Sequence, residues 1–244
     1  MKNSEKYMKK MLKVATYNIK HGGPLGKNCQ DIARLINQEN LDFIGIQEAD
    51  FNISRSGKQN IIETIAKLAG YSYYTFHKAL DYGDGEYGLG IISRYPYQVI
   101  NSTPLVCSKE PRILVEVNIQ LEEDNIAFFV THLELGTYAQ TRRHQFLQIK
   151  EALMSHKRFV LTGDFNVSDW NHQGAIFEYE EALGDYRFAN YQQTCFYTYH
   201  SDYHVKDIAP IDNIITTRDI KMNHVYMIHN HYSDHNILIA EIQL

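Results

Sequence analysis

Acidic, amide and imidazole side chains stand at the ends of several predicted strands. They occupy six places along the chain: Asn18, Glu48, His132, Asp164 with Asn166, Asp212, and Asp234 with His235. One Asp or Asn at such a place usually caps a turn by bonding the backbone, and one Glu is usually solvated. Six places together favour a catalytic cleft on a rigid sheet. The set offers hard oxygen ligands for Mg²⁺, groups that position water, and histidines, a combination that suits phosphoryl transfer.

The strands that would carry these side chains are separated by three helical patterns. Strands are predicted at residues 12–19, 41–47, 73–77, 89–93, 112–121, 126–133, 159–162, 211–216 and 237–244. Apolar residues at helical spacing predict helices around residues 32–36, at 61–68 before Gly70, and at 141–154. Helices interrupt the strands without strict alternation. This favours an α/β (α+β) fold with a mixed sheet system and outer helices over a doubly wound parallel sheet.

Seven short segments occur in an order that resembles the endonuclease/exonuclease/phosphatase family, which includes deoxyribonuclease, exonuclease-type repair nucleases, sphingomyelinase and inositol polyphosphate phosphatases. They are residues 16–19 (TYNI), 47–48 (QE), 90–96 (GIISRYP), 131–133 (THL), 163–166 (GDFN), 211–212 (ID) and 233–235 (SDH). The start, Tyr-Asn-Ile-Lys-His-Gly at 17–22, is similar to small bacterial members. The resemblance implies a two-sheet mixed β-sandwich flanked by helices, in four layers, with the active site at one edge.

The resemblance also implies a metal site. Glu48 corresponds to the main metal carboxylate, and Asn18 and Asp234 correspond to residues close to the ion. The implied cofactor is Mg²⁺ or Mn²⁺, since hard cations prefer anionic oxygen.

Five further residues take catalytic roles by the same resemblance. Asp164 and Asn166 correspond to the pair that orients or deprotonates the attacking water. His235 corresponds to the histidine that faces the scissile phosphate, with Asp212 as its carboxylate partner. His132 corresponds to the histidine that phosphatases, lipases and deoxyribonucleases of the family place on a phosphate oxygen. No covalent enzyme intermediate is required.

Four other polar residues need a separate interpretation. Arg55 and Arg112 are candidate substrate-binding residues that could reach a phosphate, and a purely structural role is equally open for each. Lys20 and Asn213 depart from the usual family pattern. Neither is expected to touch a catalytic group.

Two motif-like patterns are discounted. Residues 83–88 (GDGEYG) fit a dinucleotide-binding pattern literally, but a strand follows them where a helix would be needed, so a flexible loop near the site is expected instead. His229 and His231 with His235 have zinc-like spacing on a strand. Asp234 and His235 are already accounted for by the phosphoesterase set, so a zinc site is not expected.

Charge and composition limit the partners. The chain has 244 residues, 29 acidic against 24 basic, and a net charge of −5 with histidine neutral. A protein that binds long nucleic acid through its phosphates usually has more basic than acidic residues. A small phosphoester substrate is therefore favoured over long nucleic acid, and no obligate protein partner is evident.

The chain's organisation indicates a single domain over residues 11–244 after a disordered N-terminus, residues 1–10. Its three cysteines are far apart and form no CxxC pair. No segment approaches the roughly 18 apolar residues of a membrane span, and no apolar signal region follows the basic start. A cytoplasmic location is the simplest interpretation.

The predicted function is a Mg²⁺- or Mn²⁺-dependent phosphodiesterase or phosphatase that uses in-line attack by water. Two alternatives stay open. The first is a nuclease that acts on DNA or RNA. The second is a non-catalytic binding module that retains the fold, against which the complete polar set argues.

Overall fold

Strands make up most of the regular structure. The computed structural model describes residues 10–121, 125–167, 179, 182–190, 195–201 and 204–244, so residues 1–9 of the predicted disordered N-terminus lie outside the described residues. The described part contains the helices α1 Cys29–Glu39, α2 Ile61–Ala69 and α3 Ala139–Leu153. Its strands are β1 Met11–Asn18, β2 Phe43–Phe51, β3 Tyr73–Tyr82, β4 Gly85–Ser93, β5 Tyr97–Leu105, β6 Arg112–Gln120, β7 Asn125–His132, β8 Phe159–Asp164, β9 Arg187–Phe188, β10 Tyr199–Ser201, β11 His204–Ala209, β12 Asp212–Thr216, β13 Lys221–Ile228 and β14 Ile237–Gln243.

Two mixed sheets of six strands each form the centre of the fold. The first has the order β13-β14-β1-β2-β4-β3 and the second the order β5-β6-β7-β8-β12-β9, while β10 and β11 form a separate pair. Each large sheet holds one parallel pair, β1 with β2 and β7 with β8, and its other neighbours are antiparallel. The predicted two-sheet α/β sandwich is confirmed.

Apolar side chains fill three layers between and around the sheets. One cluster lies between the two sheets, and its members include Phe43 and Phe128, whose ring centroids are 4.2 Å apart. A second cluster joins α1 and α2 to the outer face of the first sheet. A third joins α3 to the outer face of the second. Buried apolar area is the main stabilising term of such a sandwich.

Local signals set the ends of the helices. Asn60 caps α2, because its side chain accepts a hydrogen bond from the backbone N–H of Glu63 at 3.2 Å. Gly70 ends the same helix with φ 80°, a left-handed conformation that glycine adopts without strain. None of the helices among the described residues is both long and apolar enough to cross a bilayer.

The sequence patterns missed the edge strands β5, β9 and β13 and the pair of β10 with β11, and they misjudged one loop. Strand β5 is largely exposed and β13 has no buried residue, and both lack the apolar alternation that marks a half-buried strand. The predicted flexible loop at residues 83–88 is instead a tight hairpin, in which Tyr82 pairs with Gly85 across a two-residue turn. Gly83 adopts φ 59° there. Asp84 ties the turn to the segment after β2, because its carboxylate accepts from the Ser54 N–H at 2.9 Å.

Gly45 lies in the middle of β2, where the two sheets approach closely. A Cβ atom there would meet Thr162 Oγ1 at 2.1 Å and two methyl carbons of Val130 at 3.1 Å. Thr162 is held in place, because its hydroxyl donates to the Phe129 carbonyl at 3.2 Å. We expect Gly45→Ala to lower the free energy of unfolding by about 1–3 kcal/mol, as overpacking does. Urea unfolding followed by circular dichroism measures the change.

Gly136 supplies the matched control. A Cβ atom there would have its nearest neighbour, the Asn166 carbonyl oxygen, at 3.9 Å. Gly136→Ala should therefore leave stability unchanged or raise it slightly, because alanine restricts the unfolded chain. Equal stabilities for the two variants would contradict the close approach of the sheets at Gly45.

Candidate active site

The strand directions bring the predicted polar residues to one edge of the sandwich. In the first sheet, β1 ends at this edge beside Gln47 of the parallel strand β2, which continues past it, and antiparallel β14 begins there. In the second sheet, β7 and β8 run parallel and end there, with His132 beside Asp164. Antiparallel β12 begins at the same level, with Asp212 beside Asp164. The first sheet therefore supplies the end of β1, a mid-strand position of β2 and the start of β14. The second supplies the ends of β7 and β8 and the start of β12.

Asn18 connects the two sheets at this edge. Its side-chain amide donates to Glu48 Oε1 at 3.0 Å in its own sheet and to Asp164 Oδ2 at 3.1 Å in the other. Its Oδ1 accepts from the backbone N–H of Lys20 at 3.1 Å, which fixes which end of the amide faces the carboxylates. Asn18 is buried. The amide thus holds two carboxylates of different sheets close to one point.

Glu48 is presented by an irregularity in β2. The pairing of β2 with β4 shifts register between Ile46 and Ala49, and Glu48 in this bulge adopts φ 58°. A left-handed conformation costs a non-glycine residue on the order of 1 kcal/mol, and such outliers concentrate at functional sites. Bulges also redirect a side chain relative to the regular strand. Asn166, just beyond β8, has a similar conformation with φ 54°.

Asp212 and His235 form a buried hydrogen-bonded pair. The His235 Nδ1 lies 2.8 Å from Asp212 Oδ2, and both side chains are at most 5% exposed. Burial alone lowers the pKa of His235, but the carboxylates of Asp212, Asp164 and Asp234 outweigh it and raise this pKa to about 10. The imidazolium therefore carries a proton on each nitrogen, one directed at Asp212.

The opposite nitrogen of that ring faces Asp164. His235 Nε2 lies 3.7 Å from Asp164 Oδ2. Burial and the charge of Asp212 raise the pKa of Asp164 to about 7, against lowering contributions from His235 and Asn18. A carboxylate with a pKa near neutrality can accept a proton from water in the working pH range.

His132 stands on the other side of Asp164, in contact with Arg112. Its Nε2 is 3.5 Å from Asp164 Oδ2, and its Nδ1 is 3.0 Å from an Arg112 Nη atom. Burial, followed by the charges of Arg112 and His235, lowers the pKa of His132 well below its usual value. The ring is therefore neutral. Because Arg112 can only donate, Nδ1 accepts and the proton sits on Nε2.

Asn166 closes the space beside His132. Its backbone N–H donates to Asp164 Oδ1 at 3.0 Å, and its side-chain amide donates to the Leu133 carbonyl at 3.0 Å. The same amide nitrogen lies 3.3 Å from His132 Nε2. Asn166 thus orients Asp164 through its backbone and borders the histidine through its side chain.

The two candidate arginines are placed differently. Arg112 starts β6 at the site edge and is buried between His132 and Glu110, whose carboxylate is 2.8 Å away. Arg55 makes two hydrogen bonds to the buried Asp50, at 2.7 and 2.8 Å, and its guanidinium stacks 4.3 Å from the Tyr82 ring centroid. Arg55 is therefore engaged in a pair of its own, while Arg112 contacts the predicted set directly.

One prediction about the departures from the family pattern is wrong. Lys20 was not expected to touch a catalytic group, yet its Nζ lies 2.9 Å from Asp234 Oδ2. The turn after β1 is responsible, because Lys20 adopts φ 43° there and leaves the strand direction. Asn213, the other departure, bonds the backbone of Asn190, with its Oδ1 accepting at 2.9 Å.

Sequence patterns also missed two positioning residues. Ser233 donates to the Asn18 carbonyl at 2.7 Å and accepts from the His235 N–H at 3.2 Å, which fastens the start of β14 to the end of β1. Glu134 is fully buried, and its Oε2 accepts from the backbone N–H groups of Ser108 and Lys109 at 3.0 and 3.2 Å. It thereby holds the segment that leads into Arg112. Its place two residues after His132 was the available signal.

The same edge offers a candidate metal centre. Ligand atoms of Asp164, Asp212 and His235 all lie within 4.8 Å of one another, a grouping of three metal-ligating side chains that is unique within the described part of the chain. The histidine is already bonded to Asp212, so the donors left for a hard cation are carboxylate oxygens. Asp212 Oδ1 is buried and has no hydrogen-bond partner. His229 and His231 are exposed and do not belong to this group.

The sequence and the fold both have relatives. The pattern of the Endonuclease/Exonuclease/phosphatase family matches residues 15–235. No functionally curated protein matches the sequence significantly.

Three solved structures illustrate the likeness in fold. An endonuclease/exonuclease/phosphatase from Bacteroides vulgatus is 20% identical with a TM-score of 0.75, over 97% of this chain and 100% of that one. A mannosyl-6-phosphatase from Bacteroides thetaiotaomicron is 17% identical with a TM-score of 0.69, over 95% and 99%. The D. rerio protein TDP2, in complex with a single-strand DNA product, is 17% identical with a TM-score of 0.70, over 96% and 99%. At 17–20% sequence identity, the similarity to these three structures establishes the fold of this chain.

Proposed function

Because the chain belongs to the endonuclease/exonuclease/phosphatase family, whose pattern spans residues 15–235, we propose that it is a divalent-metal-dependent hydrolase of phosphoester bonds in small phosphorylated substrates. The observation that carries the proposal is the buried row formed by Asp212, His235, Asp164 and His132, with successive contacts of 2.8, 3.7 and 3.5 Å. It places the Asp164 carboxylate between one protonated and one neutral histidine, where a water and a phosphate could both be bound.

The donor set at the site edge fits a hard divalent ion. Glu48 would be its principal ligand, with Asn18 and Asp234 beside it, and the buried Asp212 Oδ1, which has no hydrogen-bond partner, supports the presence of a cation nearby. Oxygen donors of this kind suit Mg²⁺ or Mn²⁺ better than softer metals. When bound, such an ion neutralises charge on the phosphate and on the leaving oxygen.

The remaining catalytic roles are assigned to individual side chains of the site. Asp164 accepts the proton of the attacking water, since its raised pKa lets it act as a base near neutrality. Asn166 fixes that carboxylate through its backbone N–H. His235, oriented by Asp212, offers its Nε2–H to the negative charge that develops on phosphate oxygens. His132 offers a second N–H, from a neutral ring held by Arg112.

The charges around the site support a compact substrate. Four cations near the site, among the residues that the structure describes, are paired with carboxylates: Arg112 with Glu110, Arg55 with Asp50, Lys20 with Asp234, and Lys58 with Asp84. Binding along a nucleic acid needs cations that neutralise successive phosphates. The structural relatives include a mannosyl-6-phosphatase and a protein in complex with a single-strand DNA product. A nuclease is therefore the second candidate, and a non-catalytic module retaining the fold is the third.

Several accompanying proposals concern the whole protein. We place it in the cytoplasm, in keeping with its three cysteines, none of which is paired in a disulfide. We also propose that residues 11–244 act as one domain and need no protein partner for activity.

A competition assay tests the substrate class. The enzyme is offered bis(4-nitrophenyl) phosphate and supercoiled plasmid DNA together at moderate salt, with Mg²⁺, with Mn²⁺ and with EDTA. We expect metal-dependent hydrolysis of the small diester, loss of that activity with EDTA, and little nicking of the plasmid. His235→Ala, purified in parallel, controls for contaminating nucleases.

Two other outcomes would decide against the proposal. Efficient nicking with the small ester untouched would establish the nuclease alternative. Binding of phosphoesters with no turnover under any metal condition would favour the non-catalytic module.

A further inference from the structure

Arg55 and Tyr82 form a stacked pair beside the candidate active site. The guanidinium carbon of Arg55 lies 4.3 Å from the centroid of the Tyr82 ring. Tyr82 is 42% exposed and the Arg55 side chain is 33% exposed, so both reach the surface. The buried Tyr87 lies next to them, with its ring centroid 5.9 Å from that of Tyr82 and 5.7 Å from the guanidinium carbon. We call these three residues the aromatic platform.

The aromatic platform adjoins the proposed catalytic residues through β2 and β4. Asp50, which binds the platform arginine, follows Glu48 by two positions on β2 and pairs with Tyr87 of β4. Tyr87 also lines one small cavity together with Arg112 and His132. A group that is esterified to a phosphate at the candidate site would therefore lie next to the platform.

Asp50 limits what the Arg55 guanidinium can recognise. The buried Asp50 carboxylate accepts from Arg55 Nε at 2.8 Å and from Nη2 at 2.7 Å. That edge of the guanidinium is therefore occupied and its charge is compensated, so a phosphate would have to compete with Asp50 for it. The planar face of a guanidinium can still stack on a ring. Arg55 is thus better suited to hold an aromatic group than a phosphate.

Asp84 holds the two parts of the aromatic platform together. It lies in the turn between β3 and β4, two positions after Tyr82, and its carboxylate accepts from the backbone N–H of Ser54 at 2.9 Å. Ser54 directly precedes Arg55 in the chain, and Lys58 Nζ lies 2.6 Å from the same carboxylate. The hairpin that carries Tyr82 is therefore fixed to the segment that carries Arg55. Such preorganisation lowers the entropic cost of binding a ligand between or against them.

We propose that the aromatic platform is a substrate-binding subsite that stacks on a planar aromatic group of the phosphoester, such as the base of a nucleotide. Stacking of a base on aromatic and guanidinium faces typically raises affinity by about 10-fold to 100-fold. This inference rests on the proposed function, because it presupposes that a phosphoester occupies the neighbouring site. It narrows the substrate class from small phosphoesters in general to those that carry an aromatic ring.

Two ligands that differ only in the ring test the proposal. Adenosine 5′-monophosphate (AMP) and ribose 5-phosphate share the phosphate and the ribose, and only AMP carries adenine. Their inhibition constants are measured against hydrolysis of bis(4-nitrophenyl) phosphate, and saturation-transfer difference NMR detects their binding without turnover. We expect the wild type to bind AMP about 10-fold or more tightly than ribose 5-phosphate, with the strongest saturation on the adenine protons.

Three variants assign this preference to the platform. Tyr82→Leu should remove most of it, because leucine is apolar but has no ring, whereas Tyr82→Phe keeps the ring and should keep the preference. Tyr73→Leu removes a similarly exposed tyrosine, 41%, from the other end of β3 and should leave both affinities unchanged. Arg55 is kept in every variant, since its removal would leave the buried Asp50 without a cation. Circular dichroism verifies that each variant is folded.

The outcomes separate the two proposals. Equal affinities of the wild type for the two ligands, or a preference for AMP that survives Tyr82→Leu, would overturn the aromatic subsite while leaving the phosphoesterase proposal intact. Binding of AMP through its adenine, with bis(4-nitrophenyl) phosphate left intact under every metal condition, would support the subsite and contradict the proposed function.

Discussion

His235→Ala is expected to lower kcat for a small phosphodiester by about 10²–10⁴, the usual contribution of a positioned acid–base group. The ring is buried, bonded to Asp212 and directed at Asp164, so alanine removes the N–H that faces developing negative charge. It also leaves two buried carboxylates next to each other without the cation between them. Initial rates at saturating metal measure the effect, and thermal unfolding verifies that the variant is folded.

Two further variants assign the effect to the pair. Asp212→Asn should also lower kcat, because an amide holds the imidazole less firmly and no longer stabilises its positive charge. His229→Ala removes an exposed histidine six positions earlier and should leave kcat unchanged. If His235→Ala keeps more than a tenth of the wild-type kcat, the catalytic role assigned to His235 is wrong.

Glu48→Gln is expected to weaken the apparent affinity for Mg²⁺ by about 100-fold, because a hard cation loses its principal anionic ligand. The side chain keeps its volume, and Glu48 is only partly buried. The fold should therefore tolerate the change better than the metal site does. The measurement is the Mg²⁺ concentration that gives half-maximal rate, together with a Mn²⁺ binding titration that does not depend on turnover.

The control for this variant is Glu151→Gln, at an exposed position on α3. It removes the same charge from the protein as a whole and should leave both metal measurements unchanged. Full activity of Glu48→Gln at limiting Mg²⁺ would contradict the assignment of Glu48 as the principal metal ligand.

The sequence predicted the buried strands well and the exposed ones poorly. Strands such as β1, β7 and β8 are buried along most of their length. Because buried positions require apolar side chains, each of these strands has an apolar run that can be recognised in the sequence. Strands β5 and β13 lie at sheet edges. Most residues of β5 are exposed and none of β13 is buried, so packing does not require apolar side chains there. Pro104 within β5 weakened the strand pattern further, although an edge strand tolerates proline.

Strand direction, as opposed to local backbone conformation, separates the site residues that could be foreseen from those that could not. His132, Asp164 and Asp212 occupy strand ends, and the direction of a strand is enough to bring its end to the common edge. Lys20 reaches Asp234 only because the backbone turns left-handed after β1. That conformation is not visible in the residue type, since lysine rarely adopts it. The pairing of Arg55 with Asp50 is a related case. It could not be predicted from the sequence, because it depends on the bulge in β2, which the residue types do not reveal.

The amide of Asn18 joins a carboxylate of one sheet to a carboxylate of the other, so the reacting groups belong to two separate layers. Their alignment depends on the apolar side chains packed between the layers, far from any phosphate. A substitution in that interior that shifts one sheet against the other by about 1 Å can cost a large part of the rate, even where the protein stays folded. A substitution at an interior position such as Gly45 is therefore expected to act twice, once on folding and once on the reaction itself.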